Sequence, residues 1–209
     1  KGYHADAAII LEPTSLKLSP IQSGALTFRL TVHGRATHAS MRWDGVSAIE
    51  KYTGLHDAII KLEELRHHSF ETKHYKSKER VAPINIGTIK AGQWHSTVPE
   101  SIIAEGRLGV FPNESNEEAR KNFEDHVFEF SKSDSWLTEN PPEIEWFEGQ
   151  FESGQTPIDD PLIKELSSVY KNVLNREAVI EGVTYGSDLR LFTNHAHIPS
   201  VLFGPGDVR

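Results

Sequence analysis

The stretch SGALTFRLTVHG, residues 23–34, constrains this chain more than any other. Leu26, Phe28, Leu30 and Val32 fall on one face, while Thr27, Arg29, Thr31 and His33 fall on the other. A strand that is apolar on one side and polar on the other belongs to an antiparallel sheet covered on a single face. The cover must come from elsewhere in the chain. Residues 46–65 carry Val46, Ile49, Leu55, Ile59, Leu62 and Leu65 at helical spacing, and a start near Asp44 is expected. HHSFETKHYKSKER, residues 67–80, is polar and basic without a period and reads as a loop. VAPINIGTIKAG and ESIIAEGRLGVF read as two strands of a long hairpin, joined through GQWHSTVP with Gly92 and Pro99 as its punctuation. A second helix is expected after the N-cap candidates Asn113 and Ser115, with acids in its first turn and Ala119, Phe123, Val127 and Phe130 on its apolar face. PPEIEWFEGQF offers a last strand with Ile144, Trp146 and Phe151 as core candidates, although they do not alternate strictly.

The order βαββαβ across residues 23–150 is that of an α+β ferredoxin-like sandwich, an antiparallel sheet with two helices on one face. The flanks have another character. Residues 5–11 are nearly continuous aliphatics, expected to form a strand buried on both faces, while PLIKELSSVYKNVLN, AVIEGVTYGSDLRLF and IPSVLFGPG suggest helix, strand with loop, and apolar strand. The expected organisation is therefore a sandwich (23–150) inserted into part of an α/β domain (1–22 and 151–209). The 209 residues suffice for a large core. Lys1-Gly2 at the start, without an initiator Met or a signal-like apolar core, and FGPGDVR at the end make the chain read as a piece of something longer, and the cytoplasm is its expected compartment.

Composition narrows the chemistry. A net charge of −8 disfavours a general nucleic-acid or anionic-membrane binder, and no apolar run approaches the roughly 18 residues of a membrane span. With no cysteine, any metal must be held by carboxylates and imidazoles. Glu12 comes just after the first strand, at the carboxyl end where open α/β sheets build ligand sites; it is either a loop carboxylate or a ligand fixed by the stiff Pro13 turn. His38, in HGRATHAS, is either a surface histidine or a donor to a developing oxyanion, and His33 has weaker grounds. Arg107 sits within a strand, where a cross-strand ion pair is the plain alternative to substrate binding. Gly186, Ser187, Asp188 and Arg190 in YGSDLRLF form either a capped helix start or an anion pocket of turn amides and a guanidinium fork. FGPG lacks the Lys-Ser/Thr of a phosphate loop, no G-x-S-x-G elbow is present, and the eleven histidines are scattered.

Taken together, AIILEPT, GALTFRLTVHGRATHAS with DGVSAI, GQWHSTVPESIIAEGRLGVFP, YGSDLRLF and IPSVLFGPG resemble the M20 family of dinuclear-metal aminoacylases and peptidases, in family order over nearly the whole chain. WHSTVP is closer to the acetylornithine deacetylase-like branch than to the desuccinylases. The resemblance implies that Glu12 is a ligand to one of two zinc ions (cobalt or manganese being alternatives), and that His38 reaches the active site of the other subunit to stabilise the tetrahedral oxyanion. It implies that Arg107 and Arg190 hold the substrate carboxylate, that Gly186 and Ser187 cradle the substrate, and that residues 23–150 are a dimerisation or lid domain. The family's first metal histidine, bridging aspartate, Glu-Glu pair and final metal histidine have no counterpart in the 209 residues; the first four belong upstream of Lys1 and the last just beyond Arg209. The implied function is part of a metal-dependent amidohydrolase, inactive as this chain alone, that cleaves the amide of N-acylated amino acids or small peptides and forms a homodimer. A non-catalytic dimerisation or binding module on the same fold is the second reading. Neither nucleic acid nor membrane is an expected partner.

Overall fold

The computed structural model describes residues 4–208, with elements in the order β1 (Ala8–Ile10), β2 (Ile21–Gln22), β3 (Gly24–His33), α1 (Ala48–Ser69), β4 (Ile84–Ala91), β5 (Ser101–Val110), α2 (Asn116–Ser131), α3 (Ser135–Glu139), β6 (Glu143–Phe151), β7 (Gly154–Gln155), α4 (Pro161–Leu174) and β8 (Ser200–Leu202). The four long strands form one antiparallel sheet in the order β4-β5-β3-β6. Its strands alternate as their composition requires: Leu26, Phe28, Leu30 and Val32 are fully buried, and Leu108 and Ala104 lie opposite Leu26 and Leu30 in register. Both α1 and α2 cover that face, giving one core that includes Tyr52, Leu55, Ile59, Phe123 and Val127. The outer face carries a charged ladder in which Arg29 pairs with Glu105 and Glu145 on the two neighbouring strands. The fold is thus α+β.

Local chemistry sets the element limits. The first helix begins later than expected because Gly45 and Val46 are held extended, Val46 exchanging backbone hydrogen bonds with Arg35; Ser47 then caps, its Oγ accepting from Glu50 N. It also runs past residue 65, to Ser69, since Arg66 and His67 are buried anchors: Arg66 donates to Gly109 O and to both Glu114 oxygens. Of the expected apolar stripe, Leu55, Ile59 and Leu62 are buried, whereas Ile49 and Leu65 are about half exposed. Ser115 and Glu118 cap α2 reciprocally. The imperfect alternation of β6 has its cause in a register shift against β3 between Leu26 and Phe28, near Glu148 at φ 49°.

The flanks build smaller units. β1 pairs in parallel with β8, and β2 pairs with β7. Leu18, Ile163 and Val201 form a second core beneath α4. The expected strand over residues 5–11 is short and only half buried, with Ile9 47% and Leu11 84% exposed, because among the described residues β8 is its single neighbour. The strand expected in AVIEGVTY is reduced to isolated bridges from Ile180 to Leu18 and from Val183 to Gln22.

Candidate functional site

The parallel pairing of β1 and β8 puts Glu12 and Gly204 beyond the carboxyl ends of adjacent strands. Two positive-φ residues, Ser15 and Leu16, then fold the chain back, and the turn is fastened to the one after β8: Ser15 N donates to Gly206 O (2.6 Å), Leu16 N to Gly204 O (2.9 Å), and Gly204 N to Thr14 Oγ1 (3.1 Å). A Cβ at Gly204 would stand 2.6 Å from Glu12 O, so glycine is what permits this approach. The backbone carrying Glu12 is therefore fixed, while its side chain is partly open to solvent.

The second component is the turn at residues 182–190. Ser187 is buried and its polar groups are engaged: its amide donates to Gln22 Oε1 (3.1 Å), its hydroxyl donates to the same oxygen, and its carbonyl accepts from Gln22 Nε2 (3.3 Å). Gly186 lies against Phe151, where a Cβ would come within 2.6 Å of that side chain. Arg190 stacks over the Phe151 ring at 4.9 Å, and its Nε is buried without a hydrogen-bond partner among the described residues. Tyr185 OH is likewise buried and unpaired. Burial pushes its phenol up to about 12, and the negative charge of Glu12 adds to the rise, which brings the first turn and the second into one electrostatic neighbourhood. Buried polar groups are normally satisfied; Tyr185 OH and Arg190 Nε are two of five such unpaired atoms among the described residues, the others being Tyr52 OH, Asn116 Oδ1 and Arg120 Nε.

Arg107 comes from the outer face of the sheet, opposite Thr27 and Asn85, and donates from Nη2 to Thr184 O (2.8 Å). Burial lowers its pKa from the usual arginine value. Its cross-strand neighbours Thr27 and Asn85 are uncharged, so the ion pair that its place in a strand suggested does not form with either; it ties the sheet to the 182–190 turn instead.

His38 stands apart. Arg107 pairs with Thr27 near the start of β3, and His38 follows beyond His33, the last residue of that strand, which lies roughly 20 Å from Thr27 at about 3.3 Å per residue. Its Nδ1 accepts from Ser40 N (3.2 Å) as the cap of a 3-10 turn over Ala39–Asp44, with Ser40 Oγ 2.8 Å from the same nitrogen, and the residue is exposed. Trp94, 54% exposed, meets the ring edge-on at 6.0 Å, and Thr97 bridges to its backbone. A cleft of about 300 Å³ beside Trp94, lined also by Lys90, Glu100 and Ile103, opens at this end of the sheet and does not include Glu12, Arg107 or Arg190.

The structure accordingly joins Arg107, Gly186, Ser187 and Arg190 at the 182–190 turn, relates Glu12 to it through its charge at Tyr185, and leaves His38 beyond the end of β3 remote from the Thr27–Arg107 pair. No three His, Cys, Asp or Glu side chains stand close enough to hold a metal ion among the described residues, so these residues alone do not fit a dinuclear site. Sequence reasoning misses Tyr185 and Gln22. Tyr185 opens the YGSDLRLF motif, directly before Gly186, which is signal enough; the role of Gln22 depends on a partner 165 residues away.

Comparison with known proteins adds the context. The M20 peptidase dimerisation domain matches residues 21–134. The chain is 27% identical, along its whole length, to N-formyl-4-amino-5-aminomethyl-2-methylpyrimidine deformylase of Bacillus subtilis, of which it covers 52%. In fold it is similar to an M20 family metallo-carboxypeptidase from Sulfolobus solfataricus (TM-score 0.68, 16% identity, 96% of this chain and 56% of that one) and to a tripeptidase from Staphylococcus aureus (0.67, 16%, 97% and 49%). The chain spans about half the length of the relatives it matches.

Proposed function

Because the chain belongs to the M20 peptidase dimerisation-domain family, we propose that it is the lid and part of the catalytic domain of a metal-dependent amidohydrolase that cleaves the amide of an N-acylated amino acid or small peptide. In this reading residues 23–150 are the lid, ferredoxin-like in its strand order, and residues 1–22 and 151–209 belong to the catalytic domain. One observation carries it: Arg107 reaches from the sheet to the turn that holds Tyr185 and Arg190, donating to Thr184 O, and the charge of Glu12 is felt at the Tyr185 phenol.

The roles follow from the donors. Glu12 supplies one carboxylate toward a divalent cation, zinc being the first candidate and cobalt or manganese the alternatives; the remaining ligands do not lie among the described residues. Arg190, its Nε unpaired, receives the carboxylate of the substrate, and Arg107 supports it while holding the turn through Thr184. Gly186 lets the backbone come close, and Ser187 sets the shape of the cradle through Gln22. His38, exposed beyond the end of β3 remote from the Thr27–Arg107 pair, acts on a second subunit as oxyanion donor. A homodimer is then required. The exposed edge strand β4, with Thr88, Ile89, Lys90 and Ala91 open to solvent, and Ile49 and Ile60 on the outer side of α1 are the surfaces proposed to meet the second copy.

The substrate is proposed at the level of an N-acyl amine carrying a carboxylate, with acetylornithine deacetylase-like chemistry the first candidate; the relative from Bacillus subtilis adds N-formyl aminomethylpyrimidines to the panel. The test supplies zinc to the whole protein and measures turnover of N-acetyl-L-ornithine and of the N-formyl pyrimidine. Turnover of either that falls by about a hundredfold or more in Glu12→Ala is the expected result. Unchanged turnover in that variant removes Glu12 from the metal site, and a whole protein that hydrolyses neither but dimerises supports the binding-module reading.

A further inference from the structure

The loop read from the sequence over residues 67–80 falls mostly between α1 and β4, and residues 70–83 there form a strap that crosses from the sandwich to the 182–190 turn. Phe70 and Tyr75 pack on a small core of Val81, Ala82 and Phe111. The strap is anchored at its far end where Ala82 N donates to Nε2 of the buried His67 (3.1 Å). Near its middle, His74 O accepts from Gly182 N at 2.6 Å. The next residue, Tyr75, lays its ring against Gly182, where a Cβ would be 2.6–2.9 Å from three ring carbons, so a hydrogen is all that fits. The Tyr75 hydroxyl reaches Ser23 Oγ (3.1 Å) and Val183 O (3.4 Å), and Ser23 in turn donates from Oγ to Val81 O (2.8 Å) and from its amide to Val183 O (2.9 Å). Burial raises the phenol's pKa well above its usual value, so it stays a neutral hydrogen-bonding group.

The attachments of this segment change hands at one residue. Before Gly182, Val179 O and Glu181 N bond to Leu18, on the side of the small core beneath α4. From Gly182 onward the partners are His74 and Tyr75 on the strap, Arg107 on the four-stranded sheet, Ser23 just before β3, and Ile21 and Gln22 on β2, which pairs with β7. We propose that Tyr75 is a positioning residue: clamped on Gly182, it fixes the 182–187 turn to the sandwich, so that Gly186 and Arg190 keep station with Arg107 and the cradle moves with the lid. The proposal rests on the reading of that turn as the substrate cradle.

Amide hydrogen exchange in the whole protein tests the clamp without catalysis. In Tyr75→Ala the Gly182 amide is expected to exchange at least about tenfold faster while the sheet amides of Leu30 and Ala104 keep their protection; Tyr75→Phe, which keeps the ring, retains most of it. In the whole protein, with whichever substrate of the panel is turned over, Tyr75→Ala is expected to raise KM about tenfold with kcat changed by less than about twofold, and Tyr75→Phe to restore KM. Gly182→Ala, whose methyl must displace the ring, reproduces the KM effect by a second route. Unchanged Gly182 exchange in Tyr75→Ala overturns the clamp. Arg190→Ala, run alongside, separates the layers: if it raises KM and Tyr75→Ala does not, the positioning role is wrong and the cradle stands; if neither raises KM, the cradle reading has failed and the positioning role with it.

Discussion

The sandwich and its flanks solve the same problem, hiding apolar surface, to different degrees. In the sandwich, strands of eight to ten residues and two capped helices enclose a core whose Leu26, Phe28, Leu30, Val32, Leu55, Ile59, Phe123 and Val127 are fully buried. In the flanks the strands are two or three residues long, the second core rests on Leu18, Ile163 and Val201, and Leu11, Val173 and Val179 stay 84%, 73% and 53% exposed. The sandwich supplies a rigid frame, and the flanks contribute the turns that carry Glu12, Gly186 and Arg190. In the proposed site the division is not complete, since Arg107 on β5 and His38 beyond β3 come from the sandwich.

Substitutions can break that division. Phe28 is wholly buried between Phe123 and Trp146, at ring distances of 4.6 and 5.9 Å, so Phe28→Ala is expected to cost about 3–5 kcal/mol in chemical denaturation. Arg190→Ala, on the edge of the flank, is expected to cost far less stability while raising KM; a loss as large as that of Phe28→Ala would merge the two roles. Gly34→Ala tests the frame through its backbone. Its methyl would lie 2.2 Å from Val46 O, 2.8 Å from Ala48 N and 2.9 Å from Pro99 O, none of them able to swing away, and a loss of about 1–3 kcal/mol is expected, together with a shift of the loop bearing His38.

The smallest effect is one of pH. Hydrogen bonds from the Ser115 amide and hydroxyl hold the Glu118 carboxyl below its ordinary value near 4.5. A depressed pKa means that this cap contributes fully above that ordinary value and is lost as pH falls through the lower, folded one. Denaturation of the wild type and of Glu118→Gln should therefore differ slightly at neutral pH and converge in acid. A difference that grows on acidification would contradict the capping role.

Much of the frame is legible in the sequence because its signals are local and periodic: the two-residue alternation of β3, the helical stripe containing Leu55, Ile59 and Leu62, and the Ser115 to Glu118 spacing. The start of α1 is misread because the pairing of Val46 with Arg35, which keeps the chain extended past Asp44, is not a local signal. The five-residue α3, capped by Asp134, is too short to show a period. In the site, the turn beyond Glu12 can be read from Pro13, whereas the engagement of Ser187 by Gln22 and of Gly182 by Tyr75 joins residues more than about 100 positions apart. A single half-buried tyrosine in a polar, basic loop gives no pattern to read. The roles of Glu12 and His38 come from family resemblance, since one carboxylate and one exposed imidazole specify no chemistry by themselves.

Subunit mixing bears most directly on the proposed site, in which one subunit's Glu12 works with the other's His38. Whole protein carrying His38→Ala and whole protein carrying Glu12→Ala are each expected to be nearly inactive. Unfolded together and refolded in equal amounts, they should recover about a quarter of the unaltered activity, since half the dimers are mixed and each mixed dimer holds one intact site. Activity in the mixture no greater than the sum of the two variants alone would contradict a site shared between subunits.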